Sequence, residues 1–208
     1  MTNPTALLLV DPYNDFLSEG GKFWPLVKEV AGQVGALDNL RALLAAAREQ
    51  GMPVFIVPHH RWEAGDFERW EHPTPYQRQT AAAESFARGS WGGEWHPDFA
   101  PRPEDVVIRE HWTSNGFANT DLDYQLKQRG IGRVILAGMV ANTCLEGTGR
   151  GAVDLGYHVT LVKDATAAFN AAAMHAAHVI NGPSYAHAIL TTAELLADFP
   201  ATPIGASP

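Results

Sequence analysis

Apolar runs with abrupt polar ends set the rhythm of this chain. Residues 6–10 form an uninterrupted apolar stretch that stops at Asp11, the pattern of a strand buried on both faces of a parallel sheet. Val34, Leu37, Leu40, Leu43 and Leu44 then recur at helical spacing, with Gly51 as the stop. Further apolar runs at 53–58, 105–109, 133–138 and 157–162, and a short one at 187–190, predict five more strands. Between them, NTDLDYQLKQRG reads as a helix with Leu122 and Leu126 inward. Other helices are predicted from about Cys144 to Gly156, over AAAMHAAHVI and over TAELLADF. Strands alternating with helices predict an α/β fold: a three-layer α/β/α sandwich around a mostly parallel, roughly six-stranded sheet. The stretch 59–103, rich in Trp, Gly and Pro, has no clean periodicity and reads as a long loop or lid.

Composition narrows the function classes. At 208 residues and 46% hydrophobic content, a single domain over 1–208 with a sizeable core is expected. A formal charge of −8 argues against nucleic acid as a partner, because phosphate binding wants a basic face. The first apolar stretch ends after about half a dozen residues with no basic segment before it, so a strand is expected there rather than a signal peptide or membrane span. The single cysteine cannot form an internal disulfide, which fits a reducing, cytoplasmic setting.

Ligands of parallel α/β sheets bind outside the carboxyl ends of the strands. Three predicted strands end there in reactive residues: the first at Asp11, the third at Arg109-Glu110-His111, and the fourth leading to Cys144. Asp11 fits either a carboxylate that caps the next turn or a general base. Cys144 fits either a small buried hydrophobe or a thiol activated where a strand hands over to a helix. His111 and Arg109 fit structural hydrogen bonding or ion pairing, and equally a cation that shares a site with Asp11. His59, His60, His72 and His96 lie in the long loop without metal-ligand spacing, so no metal and no cofactor is expected. Trp62, Trp70, Trp91 and Trp95 suit a pocket wall or packing anchors. No glycine-rich dinucleotide, nucleotide-triphosphate or serine-hydrolase motif occurs.

The segments ALLLVDPYNDF, NGFANTDLDYQLKQRGI and VILAGMVANTCLEGTGRGAVDLGYHVTLVKDATAAF resemble the isochorismatase-like cysteine hydrolase superfamily. The resemblance implies an Asp–Lys–Cys triad, with Asp11 as base and Cys144 as nucleophile, acting on a small amide or carbamoyl substrate through an acyl-enzyme. It also implies a cis peptide just before the cysteine, placed between Val140 and Ala141, orienting backbone N–H groups toward an oxyanion. Phe16, Trp112, Asn115 and Phe117 would line the substrate pocket. The lysine has no counterpart: an ungapped count puts His111 in its place, and a two-residue gap puts Arg109 there. PHHRW lacks the Asp-x-His metal motif of the nicotinamidase branch. The resemblance also leaves open an isochorismatase-type vinyl-ether hydrolase that uses Asp11 alone, or a catalytically idle member. It implies a homo-oligomer with a small-molecule substrate.

Overall fold

The structure is a computed structural model and describes residues 4–199. Six parallel strands form one sheet: β1 (Thr5–Val10), β2 (Val54–Val57), β3 (Val106–Val107), β4 (Arg133–Met139), β5 (His158–Ala167) and β6 (Ala188–Leu190). Their order across the sheet is β3-β2-β1-β4-β5-β6, so the winding direction reverses between β1 and β4. A ligand crevice opens at such a reversal, at the carboxyl ends of the two strands.

Alternation along β1 sorts the core into two halves. Leu7 and Leu9 face helices α2 (Trp24–Val34) and α3 (Ala36–Glu49), where Val27, Val30, Leu40 and Leu43 are buried. Ala6, Leu8 and Val10 face the opposite layer, with Leu122 and Leu126 of α5 (Leu122–Gln128) and Ala152 of α6 (Glu146–Asp154). These are the expected three layers, with α1 (Asn14–Leu17) and α4 (Pro75–Ala82) in the loops at the carboxyl end of the sheet. A short α7 (Ala171–His175) and α8 (Thr192–Ala197) follow later in the chain. Among the described residues no helix is long and apolar enough to cross a membrane.

Several elements differ from the sequence expectation. The third strand is only two residues long as a regular ladder, although Ile108 N–H still donates to the Ile56 carbonyl at 3.1 Å. Helix α2 precedes the predicted α3 and is separated from it by Gly35, whose φ of 67° breaks the helical run. The long loop contains α4, started by a capping box in which Thr74 and Gln77 satisfy each other's backbone N–H groups.

One buried ion pair ties α3 to the strand at the sheet edge. Arg48 and Asp105 are almost fully enclosed, with side-chain exposures of 9% and 1%. Asp105 also accepts from the Arg102 N–H at 2.8 Å. Asp105→Ala leaves the guanidinium enclosed without its counter-ion and should cost about 3 kcal/mol or more, read as a lower urea midpoint. An unchanged midpoint would show that the pair carries no stability.

Candidate active site

The chain leaves β1 at Asp11 in an unusual way. Asp11 has φ of 52°, in the left-handed region, and its N–H donates to the Val57 carbonyl at 3.0 Å. Its side chain is fully buried. Oδ1 sits 3.1 Å from His111 Nε2, and Oδ2 has no hydrogen-bond partner among the described residues. The carboxylate therefore does not cap the turn that follows it.

His111 reaches that carboxylate because the strand pairing continues past β3. His111 N–H donates to the Pro58 carbonyl, and His60 N–H donates to the His111 carbonyl at 2.7 Å. This carries His111 to the floor of the crevice, with no exposed surface. Nδ1 lies 2.6 Å from the Thr113 carbonyl, which can only accept, so Nδ1 carries hydrogen. Nε2 then donates to Asp11 only when the ring holds both protons.

Arg109 does not belong to this cluster. Its side chain is exposed and its N–H donates to Asp121 Oδ1 at 2.8 Å. The continued pairing of 59–60 with 111 brings His111, not Arg109, beside Asp11.

Cys144 lies in a widened turn, Ala141–Leu145, between β4 and α6. The Val140 carbonyl accepts from the N–H groups of both Thr143 and Leu145, which winds the chain tightly around the thiol. The cis peptide joins Met139 and Val140, one residue earlier than expected between Val140 and Ala141. The bond falls where β4 itself ends, and Ala141 already belongs to the turn. Burial first, and the neighbouring Asp11 charge second, push the Cys144 thiol well above its ordinary range. The resting group is a thiol, contrary to the thiolate expected at a helix start, because an adjacent carboxylate and burial outweigh the helix end.

One ligand atom each from Asp11, His111 and Cys144 lies within 4.8 Å of the others. The three meet beside a cavity of about 450 Å³ that Cys144 helps to line. His59 stands over it, its ring centre 5.1 Å from that of His111. Its Nδ1 is 2.8 Å from the His60 carbonyl, which leaves Nε2 as a bare acceptor. Burial first, and the neighbouring His111 second, lower its pKa to about 4, so the ring is neutral. Helix α4 supplies the opposite wall through Tyr76 and Gln77. The Tyr76 hydroxyl, pushed up to about 12 chiefly by burial, remains a donor. Asn142 adds an amide whose Oδ1 is buried without a partner among the described residues.

Of the expected pocket residues, only Trp112 lines this cavity. Phe16 points into the core against Phe23 and Phe86, with ring centres 5.1 and 4.9 Å away. Asn115 turns its Oδ1 back onto the Phe117 N–H at 2.9 Å, and Phe117 stacks on Tyr157. None of Trp62, Trp70, Trp91 and Trp95 lines it either, and Trp95 serves instead as a packing anchor stacked on Tyr13 at 4.9 Å.

Ion pairs fasten the long segment above the site. Glu110 binds Arg61 at 2.7 Å and Arg88 at 3.1 Å, and lies 3.4 Å from His60. His60 also pairs with Asp66 at 2.7 Å and stacks on Trp112 at 3.6 Å. The sequence pattern gives no sign of Tyr76, Gln77 or Asn142, and His59 stands out only as a loop histidine without metal-ligand spacing. The capping box TPYQ was the one local signal that a helix sits there.

Acid, imidazole and thiol gathered at the switch point of a doubly wound parallel sheet define a small α/β hydrolase. The isochorismatase domain family matches residues 5–194, and the chain belongs to it. The chain is 31% identical to ureidoacrylate amidohydrolase RutB of Variovorax paradoxus, covering 95% of this chain and 82% of that protein. It is 32% identical to a protein of the same name from Caulobacter vibrioides, over 78% of this chain and 76% of the relative. Among solved structures it is similar to a putative isochorismatase hydrolase from Oleispira antarctica, 31% identical with a TM-score of 0.72, covering 95% and 98% of the two chains. A cysteine hydrolase from Pseudomonas syringae is 27% identical with a TM-score of 0.73, covering 93% and 91%.

Proposed function

We propose that this chain hydrolyses the C–N bond of a small amide or carbamoyl compound through an acyl-enzyme on Cys144. The observation that carries the reading is the meeting of Asp11, His111 and Cys144 within 4.8 Å beside a cavity of about 450 Å³. The ureidoacrylate amidohydrolases it resembles support the substrate class.

Asp11 takes the thiol proton as sulfur attacks the carbonyl carbon, and the unpartnered Oδ2 is the oxygen free to receive it. The carbonyl electrons move onto oxygen, and backbone N–H groups of the turn around Val140, Ala141 and Cys144 hold the oxyanion. As that oxyanion collapses, the C–N bond breaks and Asp11 returns the proton to the leaving nitrogen. Water then attacks the thioester, Asp11 accepts its proton, and the C–S bond breaks to release the acid and restore the thiol. His111 lies beside Asp11 Oδ1, in the place a lysine takes in the family pattern, and gives that oxygen an N–H donor when its ring holds both protons.

Helix α4, within the segment 59–103, shapes the substrate end of the cavity. Asn142 Oδ1 and His59 Nε2 are acceptors, which suits a substrate rich in N–H groups such as a ureido or primary amide compound. Asn142→Ala should raise KM by about tenfold with a smaller change in kcat, the effect of one lost hydrogen bond. Ammonia release measured across a panel of ureido compounds and primary amides tests the reading. Absence of turnover across the whole panel would reject it.

A further inference from the structure

We propose that Asp11, His111 and Cys144 also form a binding site for zinc, with a fourth coordination position open to the cavity. Their donor atoms already lie within 4.8 Å of one another, and all three residues are buried. Tetrahedral zinc with bonds of about 2.0–2.3 Å holds its donors about 3.3–3.8 Å apart, so the widest pair needs to close by about 1 Å. Carboxylate, imidazole and thiolate are all ordinary zinc ligands, and three protein ligands with one open position is a recurrent zinc geometry.

Two further observations point to a metal. The Asp11 Oδ2 atom is buried without a partner among the described residues, although the residue has no exposed surface. His111 Nδ1 donates to the Thr113 carbonyl at 2.6 Å. Metal-bound histidines are usually fixed this way, with the second nitrogen on a backbone carbonyl and the first turned to the ion. A lysine at position 111 would fill the space with an ammonium group and supply no such donor. The histidine here changes what the cluster can hold.

Charge also balances. Binding displaces the Cys144 thiol proton, and any proton on His111 Nε2, to solvent. One carboxylate and one thiolate then neutralise the divalent ion in the buried site. With its lone pair on the metal, the sulfur is no longer a free nucleophile, so the loaded chain should be idle as an amidase. The binding claim rests on the donor geometry alone and stands apart from the hydrolase reading.

The test uses the intact chain, first stripped with chelator. Titration with Co²⁺ should saturate at one ion per chain and give the sulfur-to-cobalt charge-transfer absorption and the intense visible bands of a tetrahedral site. Zn²⁺ should displace the cobalt. It should also slow alkylation of Cys144, the only cysteine, by iodoacetamide at least about tenfold. His111→Lys and Cys144→Ser should each weaken cobalt binding by at least about a hundredfold while keeping the metal-free thermal midpoint near that of the wild type. Absence of the charge-transfer band, or unchanged alkylation with saturating Zn²⁺ in the wild-type chain, would overturn the site. Undiminished cobalt binding in either variant would do the same. Missing amide turnover in the metal-free chain alongside a positive titration would count against the hydrolase reading alone.

Discussion

Cys144→Ala is expected to lower turnover of the amide substrate by at least about 10⁴-fold, because it removes the atom that the proposed mechanism bonds to substrate. Neither Asp11 nor His111 can replace it. In the proposed mechanism Asp11 is already committed as base, and both nitrogens of His111 are engaged. The substitution should hardly disturb the fold, since Cys144 Sγ makes only a long contact of 3.9 Å with the Thr113 carbonyl. Steady-state rates paired with a thermal melt separate the two effects. Full activity in the alanine variant would instead favour ether-type hydrolysis by Asp11 alone, while collapse of the melt would leave the rate loss without mechanistic meaning.

His111→Ala carries the second largest expected effect, a loss of about 10²–10⁴-fold in kcat/KM. Removing the ring leaves the Asp11 carboxylate buried with neither of its oxygens partnered. A carboxylate so placed binds a proton and stops serving as a base. His111→Lys puts a fixed cation back beside Asp11 and should recover a large part of the lost rate, whereas His111→Gln should not. Equal losses in the lysine and glutamine variants would show that His111 holds shape and not charge. The loss should appear in kcat more than in KM, since His111 acts on Asp11 and not on the substrate.

Much of the sheet was legible because buried parallel strands write themselves as unbroken apolar runs. The run at residues 6–10 lies within β1, and its abrupt end marks Asp11, which meets His111 and Cys144. Cys144 was legible for the same reason, following the 133–138 run into a glycine-rich helix. The choice between His111 and Arg109 was not. A two-residue offset in a single sequence has no internal ruler, and only the pairing of 59–60 with 111 fixes it.

The wall formed by α4 escaped for a different reason. Its two buried residues, Gln77 and Thr80, are polar, so the helix has no apolar stripe to betray it. The predicted pocket residues Phe16, Asn115 and Phe117 failed because their neighbours claim them: two aromatic rings, a local Asx turn and Tyr157. The residues of the buried cluster, Asp11, His111 and Cys144, thus follow strand ends, whereas those that shape the cavity depend on how a long connection folds back.

The central claim, that substrate carbon becomes bonded to Cys144 Sγ, is tested most directly by intact-mass spectrometry of protein quenched in acid during turnover. The account predicts a mass gain equal to the acyl portion of the substrate, carried by the peptide that contains Cys144 and absent from the Cys144→Ala chain. Steady turnover by the Cys144→Ala chain at the wild-type rate, with no adduct on the wild-type protein, would contradict it.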